Sequence, residues 1–272
     1  MKDRYVKIFD ILAARKKIKI NLLAELLDVC SVTLRRDLDI LEKRGIICRA
    51  HGYATLDGAD ETGRRMAVNH LIKQKIAKAA AQTVEEGETI MLESGSCCAM
   101  FAEELAVVEK KVTIITNSVY IANFLSKRNI NIILLGGYLQ PESQVLVGPM
   151  TVKCAETFFF QKYFLGTDGF IPEYGFTSGD VLRAETAAEL SKRAKNVFVL
   201  TEAAKFIQRG LYNMIQFEKL TGIFTDDGIP MEAEDVLVKN NIKIHKVPSA
   251  NEKIKWCQFP GQPPFLYRER EE

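Results

Sequence analysis

From Leu71 onward the chain alternates amphipathic helical stretches with short apolar runs, and this alternation restricts the possible folds more than any other feature. Residues 71–83 have helical spacing and Thr89–Leu92 is a short apolar strand. Helix follows at 97–106, strand at Val112–Ile115, another helix, and strand at Ile130–Leu135. Tyr163–Leu165 is a strand, 180–194 a helix, and Asn196–Leu200 and Ile223–Thr225 are strands. Strands separated by helix-length crossovers pair in parallel. The expected fold class is therefore α/β, a mostly parallel sheet with helices on both faces.

Such sheets bind ligands at the carboxyl ends of their strands. At those ends stand Ser94, Gly95, Ser96 and Cys97; Thr116 and Asn117; Gly136; Asp168 and Gly169; and Lys205, with Glu185 on the helix between. Glycine amides at a helix start hold phosphate, and a carboxylate and an amide hold hydroxyls, so these residues are the candidate site for a phosphorylated polyol. Each element also has a plainer reading, since an SGS loop or an Asp-Gly pair can be a simple turn.

Residues 1–56 differ from this body. They carry 12 Lys/Arg against 7 Asp/Glu, a charge of +5, whereas the remaining 216 residues carry 25 against 28, or −3. A basic head on a mildly acidic body suggests a nucleic-acid-binding module, although a solvated surface would have the same composition. Helical spacing of Tyr5, Ile8, Phe9, Ile11 and Leu12 predicts a helix over 3–15, followed by a basic strip, Arg15–Lys19. Asn21 can cap a second helix bearing Leu22, Leu23, Leu26 and Leu27. Ser31 can cap a third, whose stripe is Leu34, Leu38 and Leu41 and whose stop is Gly45. At about 100° per residue, Arg36 and Lys43 face away from that stripe and Arg35 lies on its flank. Two short helices, the second presenting Ser31, Thr33, Arg35 and Arg36 at its N-terminal end, have the form of a helix-turn-helix. In that form such residues reach base edges and phosphates. Residues 46–56 add two short strands around a turn at His51-Gly52-Tyr53. This is a wing that places Arg49 and His51 near a phosphate backbone, although His51 can equally be only a turn residue.

The run Ser31-Val32-Thr33-Leu34-Arg35-Arg36-Asp37-Leu38, continued by Leu41-Glu42-Lys43-Arg44-Gly45 and Arg49-Ala50-His51-Gly52, resembles the DNA-binding head of the DeoR family of bacterial transcriptional regulators. Tyr53 stands where that family commonly has a second glycine. The resemblance continues through LESGSCCAMFAEEL, ITNS, LLGG, FLGTDGF and Lys205-Phe206 to about residue 240. It implies a sugar-phosphate sensor domain similar to ribose-5-phosphate isomerase. Ser96-Cys97 replaces the usual pair of threonines, and Thr201-Glu202-Ala203-Ala204 stands where Asp-Ser-Ser is usual before Lys205, so the pocket wall departs from the family pattern.

The resemblance implies a ligand-controlled regulator, a repressor that binds a double-stranded operator as a homodimer or homotetramer and is released by a phosphorylated sugar. The alternative is a sugar-phosphate isomerase with an accessory head, in which Asp168 with Glu185 or Lys205 would move the proton. The loop Tyr174–Asp180 lacks the lysine of the isomerases, which argues against catalysis. The expected domains are a head at 1–57, a linker at 58–72 that can begin a connecting helix, a sensor at 73–250 and a tail at 251–272. The tail's Trp256, Phe259, Phe265 and Tyr267 either dock or belong to a disordered end. No apolar run reaches the roughly 18 residues of a membrane span. Six cysteines without metal-ligand spacing suggest cytosolic thiols, and no cofactor or metal is expected.

Overall fold

The computed structural model describes residues 3–43, 46–56, 61–249, 253–257 and 265–269. It divides into two compact units, Ile72–Val247 and, separately, the chain to Leu71 together with the segment from Pro248.

The first unit opens with α1 (Asp3–Arg15), β1 (Lys17–Lys19), α2 (Ile20–Leu26) and α3 (Ser31–Lys43). The wing strands β2 (Cys48–Ala50) and β3 (Tyr53–Thr55) follow, then α4 (Glu61–Ala67) and the start of α5 (His70–Ala81). Ile8, Phe9, Leu12, Leu23, Leu34, Leu38, Leu41 and Ala54 meet in one buried cluster. The leucine stripes therefore fold the helices onto one another, as their spacing predicts.

Several local expectations need correction. The basic strip is in part a strand: β1 pairs antiparallel with β3, which also pairs with β2. With alternate burial it seats Ile18 in the core and leaves Lys17 and Lys19 outside. Asn21 does not cap α2; that helix starts two residues earlier than such a cap implies, with Lys19 at the cap position and no side-chain cap bond. Ser31 is the first residue of α3 rather than its cap, because the amide of Leu34 donates to the carbonyl of Cys30. Part of the expected linker is the helix α4, whose Ala67 joins the core of the head. The stop at Gly45 lies outside the described residues.

The second unit begins in α5 and continues with β4 (Thr89–Leu92), α6 (Ser96–Val107), β5 (Thr113–Thr116), α7 (Val119–Leu125) and β6 (Asn131–Leu134). A hairpin of β7 (Tyr138–Gln140) and β8 (Val145–Val147) leads to α8 (Pro149–Ala155) and β9 (Lys162–Leu165). Then come β10 (Gly169–Ile171), β11 (Gly175–Ser178), α9 (Val181–Ser191), β12 (Asn196–Leu200), a 3-10 turn (Ala203–Lys205), β13 (Tyr212–Ile215), a second 3-10 turn (Phe217–Lys219), β14 (Gly222–Asp226), α10 (Met231–Lys239) and β15 (Lys243–Val247). Seven of the described strands form one sheet in the order β15-β14-β12-β9-β4-β5-β6. Every pairing in that sheet is parallel. Its inner strands are almost wholly buried, as strands covered on both faces must be.

From β4 the chain builds outward through β5 and β6, then returns to the other side of β4 at β9 and builds the opposite way. The point where the strand order reverses therefore lies between β4 and β9. A small antiparallel sheet, β10-β11-β13, stands after β9 and is packed by Phe170, Phe176, Phe206 and Phe217. Alternation of helix and strand does not reveal this sheet. The tail pairs β16 (Lys253–Cys257) antiparallel with β17 (Phe265–Glu269). The expectation for Trp256, Phe259, Phe265 and Tyr267, docking or a disordered end, falls on side chains that the structure does not describe.

Candidate functional site

In the head, burying Leu34, Leu38 and Leu41 fixes the rotation of α3, and Ser31, Arg35, Arg36 and Lys43 are left exposed. Thr33 is half-buried, with its Oγ1 3.1 Å from Sγ of Cys30. Asp37, on the same helix, is buried and paired with Arg4 of α1, so one acidic residue of the TLRRDL run ties α3 to the head. The wing turn is His51-Gly52, with φ of 51° and 80°, between the paired Ala50 and Tyr53. Positive φ at both central residues is the hairpin turn whose twist matches the strands it joins. His51 is therefore the exposed tip. Tyr53 lies in β3, with Nζ of Lys17 4.6 Å from its ring centroid, and not in the turn.

Arg49 has a different set of neighbours from the one its position suggests. Its guanidinium lies 2.6 Å from Asp39 and 2.6 Å from Glu42, and Glu42 also accepts from its backbone amide at 2.9 Å. Arg49 thus straps the wing to α3, and it holds the Glu42 carboxyl below the ordinary carboxylate range.

In the second unit, parallel pairing brings the carboxyl ends of all seven strands to one edge. The reversal point between β4 and β9 carries Glu93-Ser94-Gly95 on one side and Gly166-Thr167-Asp168 on the other. Gly95 has φ 128°, open to glycine alone, and a Cβ on Gly166 would stand 3.4 Å from the carbonyl oxygen of Ser94. The two loops are thus in van der Waals contact, and the backbone of Gly95 is the one that requires glycine. Gly95 is also the cap residue of α6 and makes no side-chain cap bond; Ser96 and the buried Cys97 begin that helix.

Asp168 Oδ2 accepts from the Gly179 amide at 2.9 Å, from Ser178 Oγ at 3.3 Å and from Arg183 Nη2 at 3.0 Å. Gly169 lies under the 206–210 loop, where a Cβ would come 2.4 Å from the Gln208 carbonyl oxygen. That loop is anchored by Phe206 on Phe170 and Phe176, so the turn carrying Lys205 is held beside the Asp168 segment. Lys205 is half-buried and donates to Gln208 Oε1 at 2.9 Å. Thr116 and Asn117 are buried at the end of β5, where the Thr116 hydroxyl accepts from the Ser118 amide and the Asn117 amide donates to Leu146. Gly136 is exposed after β6. Glu185 is not brought in with these residues. It is exposed on α9, two residues and so about 200° around the helix from Arg183.

Two residues absent from the strand-end expectation stand at this point. Glu93 is buried at the end of β4, accepts from Ser94 Oγ at 2.9 Å, and has its carboxyl pushed up to about 7 by burial, with Arg183 opposing the shift. Arg183 occupies the first turn of α9, behind the cap Asp180. The acid directly before the SGS loop was a readable signal for Glu93. For Arg183 there was none, because nothing local says which way the first turn of α9 faces.

A helix-turn-helix with a wing and a polar cluster at a strand reversal are thus both present, in separate units. Residues 4–59 match the DeoR-like helix-turn-helix domain and residues 68–227 the DeoR C terminal sensor domain. The chain is 28% identical to a putative aga operon transcriptional repressor of Escherichia coli O157:H7, over 89% of this chain and 92% of that protein. It is 30% identical to the uncharacterized HTH-type transcriptional regulator FruR of Bacillus subtilis (strain 168), over 88% and 94%. Against a lactose phosphotransferase system repressor of Staphylococcus epidermidis the identity is 28%, over 83% and 92%. Among solved structures, ribose 5-phosphate isomerase A of Methanocaldococcus jannaschii aligns at a TM-score of 0.39 and 20% identity, over 51% of this chain and 55% of that one.

Proposed function

Because this chain belongs to the DeoR family of transcriptional regulators, we propose that it represses a carbohydrate-metabolism operon and is released from its operator by a phosphorylated sugar. The observation that carries the DNA half of this reading is the paired, exposed Arg35 and Arg36 on the second turn of a helix whose other face is fully buried. In the proposed complex Arg36 reads guanine O6 and N7. Ser31, Thr33, Arg35 and Lys43 contact base edges or phosphates, and His51 at the wing tip reaches the backbone. Arg49 contributes by setting the wing. Two half-sites need two heads at fixed spacing, so the working form is a homodimer or homotetramer acting in the cytoplasm.

The effector's phosphate sits at the uncapped N-terminus of α6, over Gly95 and Ser96, with Lys205 as the cation. Cys97, Thr116, Asn117, Gly136 and Gly169 shape the wall, and Asp168 accepts from hydroxyls. The names of the relatives, repressors of the aga operon and of a lactose phosphotransferase system, support a carbohydrate effector. Effector binding shifts the heads only by its different affinity for the two arrangements. The isomerase alternative is disfavoured at Asp168, whose carboxylate is already engaged by an amide, a hydroxyl and a guanidinium.

The test is a binding experiment with DNA selected from the host genome, followed by a screen of sugar phosphates for release and for thermal stabilisation. An effector at about 100 times its dissociation constant stabilises the folded state by roughly 2.7 kcal/mol, a readable melting shift. Lys205→Ala should lose that shift and keep operator affinity, giving a protein fixed on DNA. Binding without sequence preference over bulk DNA would overturn the reading, and a Lys205→Ala protein that still responds would remove Lys205 from the site.

A further inference from the structure

Arg183 is the side chain at the strand reversal whose bonding capacity is least used. Its side chain is 20% exposed, and the only hydrogen bond of its guanidinium among the described residues is the one from Nη2 to Asp168. A guanidinium carries five N–H donors in a rigid fork, so one bond anchors the group and leaves the rest to be used. Beside it are two carboxyls: Asp168 from the end of β9, and the buried Glu93 from the end of β4, which lies close enough to feel the Arg183 charge. The three come from three different elements, and α9 is oriented by Asp180, which caps it and accepts from Gln140 at 3.0 Å.

The charges decide what such a group can hold. A phosphate placed here would face two acids, which works against the one arginine. A sugar hydroxyl suits the group, because it donates to a carboxylate and accepts from a guanidinium at the same time. Nor is the arrangement needed for packing: the hydrophobic core below it closes through Ala184, Ala187 and Leu190 of the same helix.

We propose that Arg183, with Glu93 and Asp168, reads the hydroxyls of the effector, while its phosphate is held by the start of α6 and Lys205. This rests on the sugar-phosphate reading and adds the residue that selects among sugars. Arg183 is the specificity-determining donor, and Glu93 is the acceptor that makes a missing or inverted hydroxyl costly, since its carboxyl has little water to fall back on.

The experiment uses the full-length protein, titrated calorimetrically with inorganic phosphate and with glucose 6-phosphate, fructose 6-phosphate and ribose 5-phosphate. In the wild type at least one sugar phosphate should bind more tightly than phosphate. Arg183→Met should weaken that sugar phosphate roughly ten- to a hundredfold, as expected on losing hydrogen bonds to a charged group, and leave inorganic phosphate within about twofold. Arg183→Lys keeps a cation beside Asp168 and guards against a folding failure. Lacking the fork, it should still lose at least about fivefold for the sugar phosphate alone. Equal losses for both ligands would make Arg183 a phosphate ligand and overturn the inference. So would unchanged binding in both variants, or sugar phosphates that bind the wild type no better than phosphate. A wild type that binds none of the four ligands would instead overturn the sugar-phosphate reading on which the inference stands.

Discussion

The head and the sensor use their charged side chains in opposite ways. In the head, the residues proposed to meet DNA are those left outside when the leucine stripe of α3 is buried, and the charges that are engaged, Arg4 with Asp37 and Arg49 with Asp39 and Glu42, hold helices and wing in place. In the sensor, charge is drawn inward to the strand ends: Glu93 is buried, Arg183 lies on Asp168, and Lys73 pairs with Glu202 at 2.7 Å with both side chains at or below 10% exposure. A basic surface binds a long polyanion through many weak, salt-screened contacts. A small ligand must be held by few groups, and these are worth more when partly withdrawn from water.

The largest expected effect tests that burial directly. Burial pushes the Glu93 carboxyl up to about 7 in the folded protein, against an ordinary 4.5. Between those values the folded state holds the proton more tightly than the unfolded chain. The stability contributed by the protonated form is therefore full below about pH 4.5 and is lost as pH rises through 7, amounting to about 3 kcal/mol by pH 8. Glu93→Gln removes this loss, so urea midpoints of variant and wild type should diverge from pH 5 to about pH 7 and level off above it. A constant gap would place Glu93 in water and erase the contrast with the head.

On the head, Arg36→Ala should weaken operator binding by roughly 1–3 kcal/mol and relax preference at one base pair, as the loss of a bidentate guanine contact would. Unchanged operator affinity would remove α3 as the reading helix. The smallest effect separates the two kinds of charge within the head. Arg49→Ala should lower the stability of the head by about 1 kcal/mol, since its partners Asp39 and Glu42 are partly exposed. It should weaken DNA binding through a displaced wing while leaving the salt dependence as steep as in the wild type. A flatter salt dependence would instead mean that Arg49 leaves its carboxylates to neutralise a phosphate.

Much of this was legible in chain order. Helical spacing locates α1, α2 and α3 and says which arginines stay outside, because amphipathic periodicity is a local property. The β4 and β12 strands stand where their apolar runs stand. Less legible were features made by partners distant in sequence. β1 is a strand because β3 lies beside it. The small sheet of β10, β11 and β13 is built from short segments whose pairing no local alternation announces. Asp37 reads as one more polar residue of a helix until α1 brings Arg4 against it.

What the linear pattern settles is the class of each unit, a leucine-seamed helix-turn-helix and a parallel α/β sheet, since both follow from periodicities that act within a few residues. Which residues meet is settled by packing. The strand order puts β4 next to β9 and so joins Glu93 to Asp168 across 75 residues of chain, and the cap at Asp180 turns Arg183 toward them while Glu185 faces water. A contact across that distance costs chain entropy that only the closed core of the whole sheet offsets, and so no local segment can specify it.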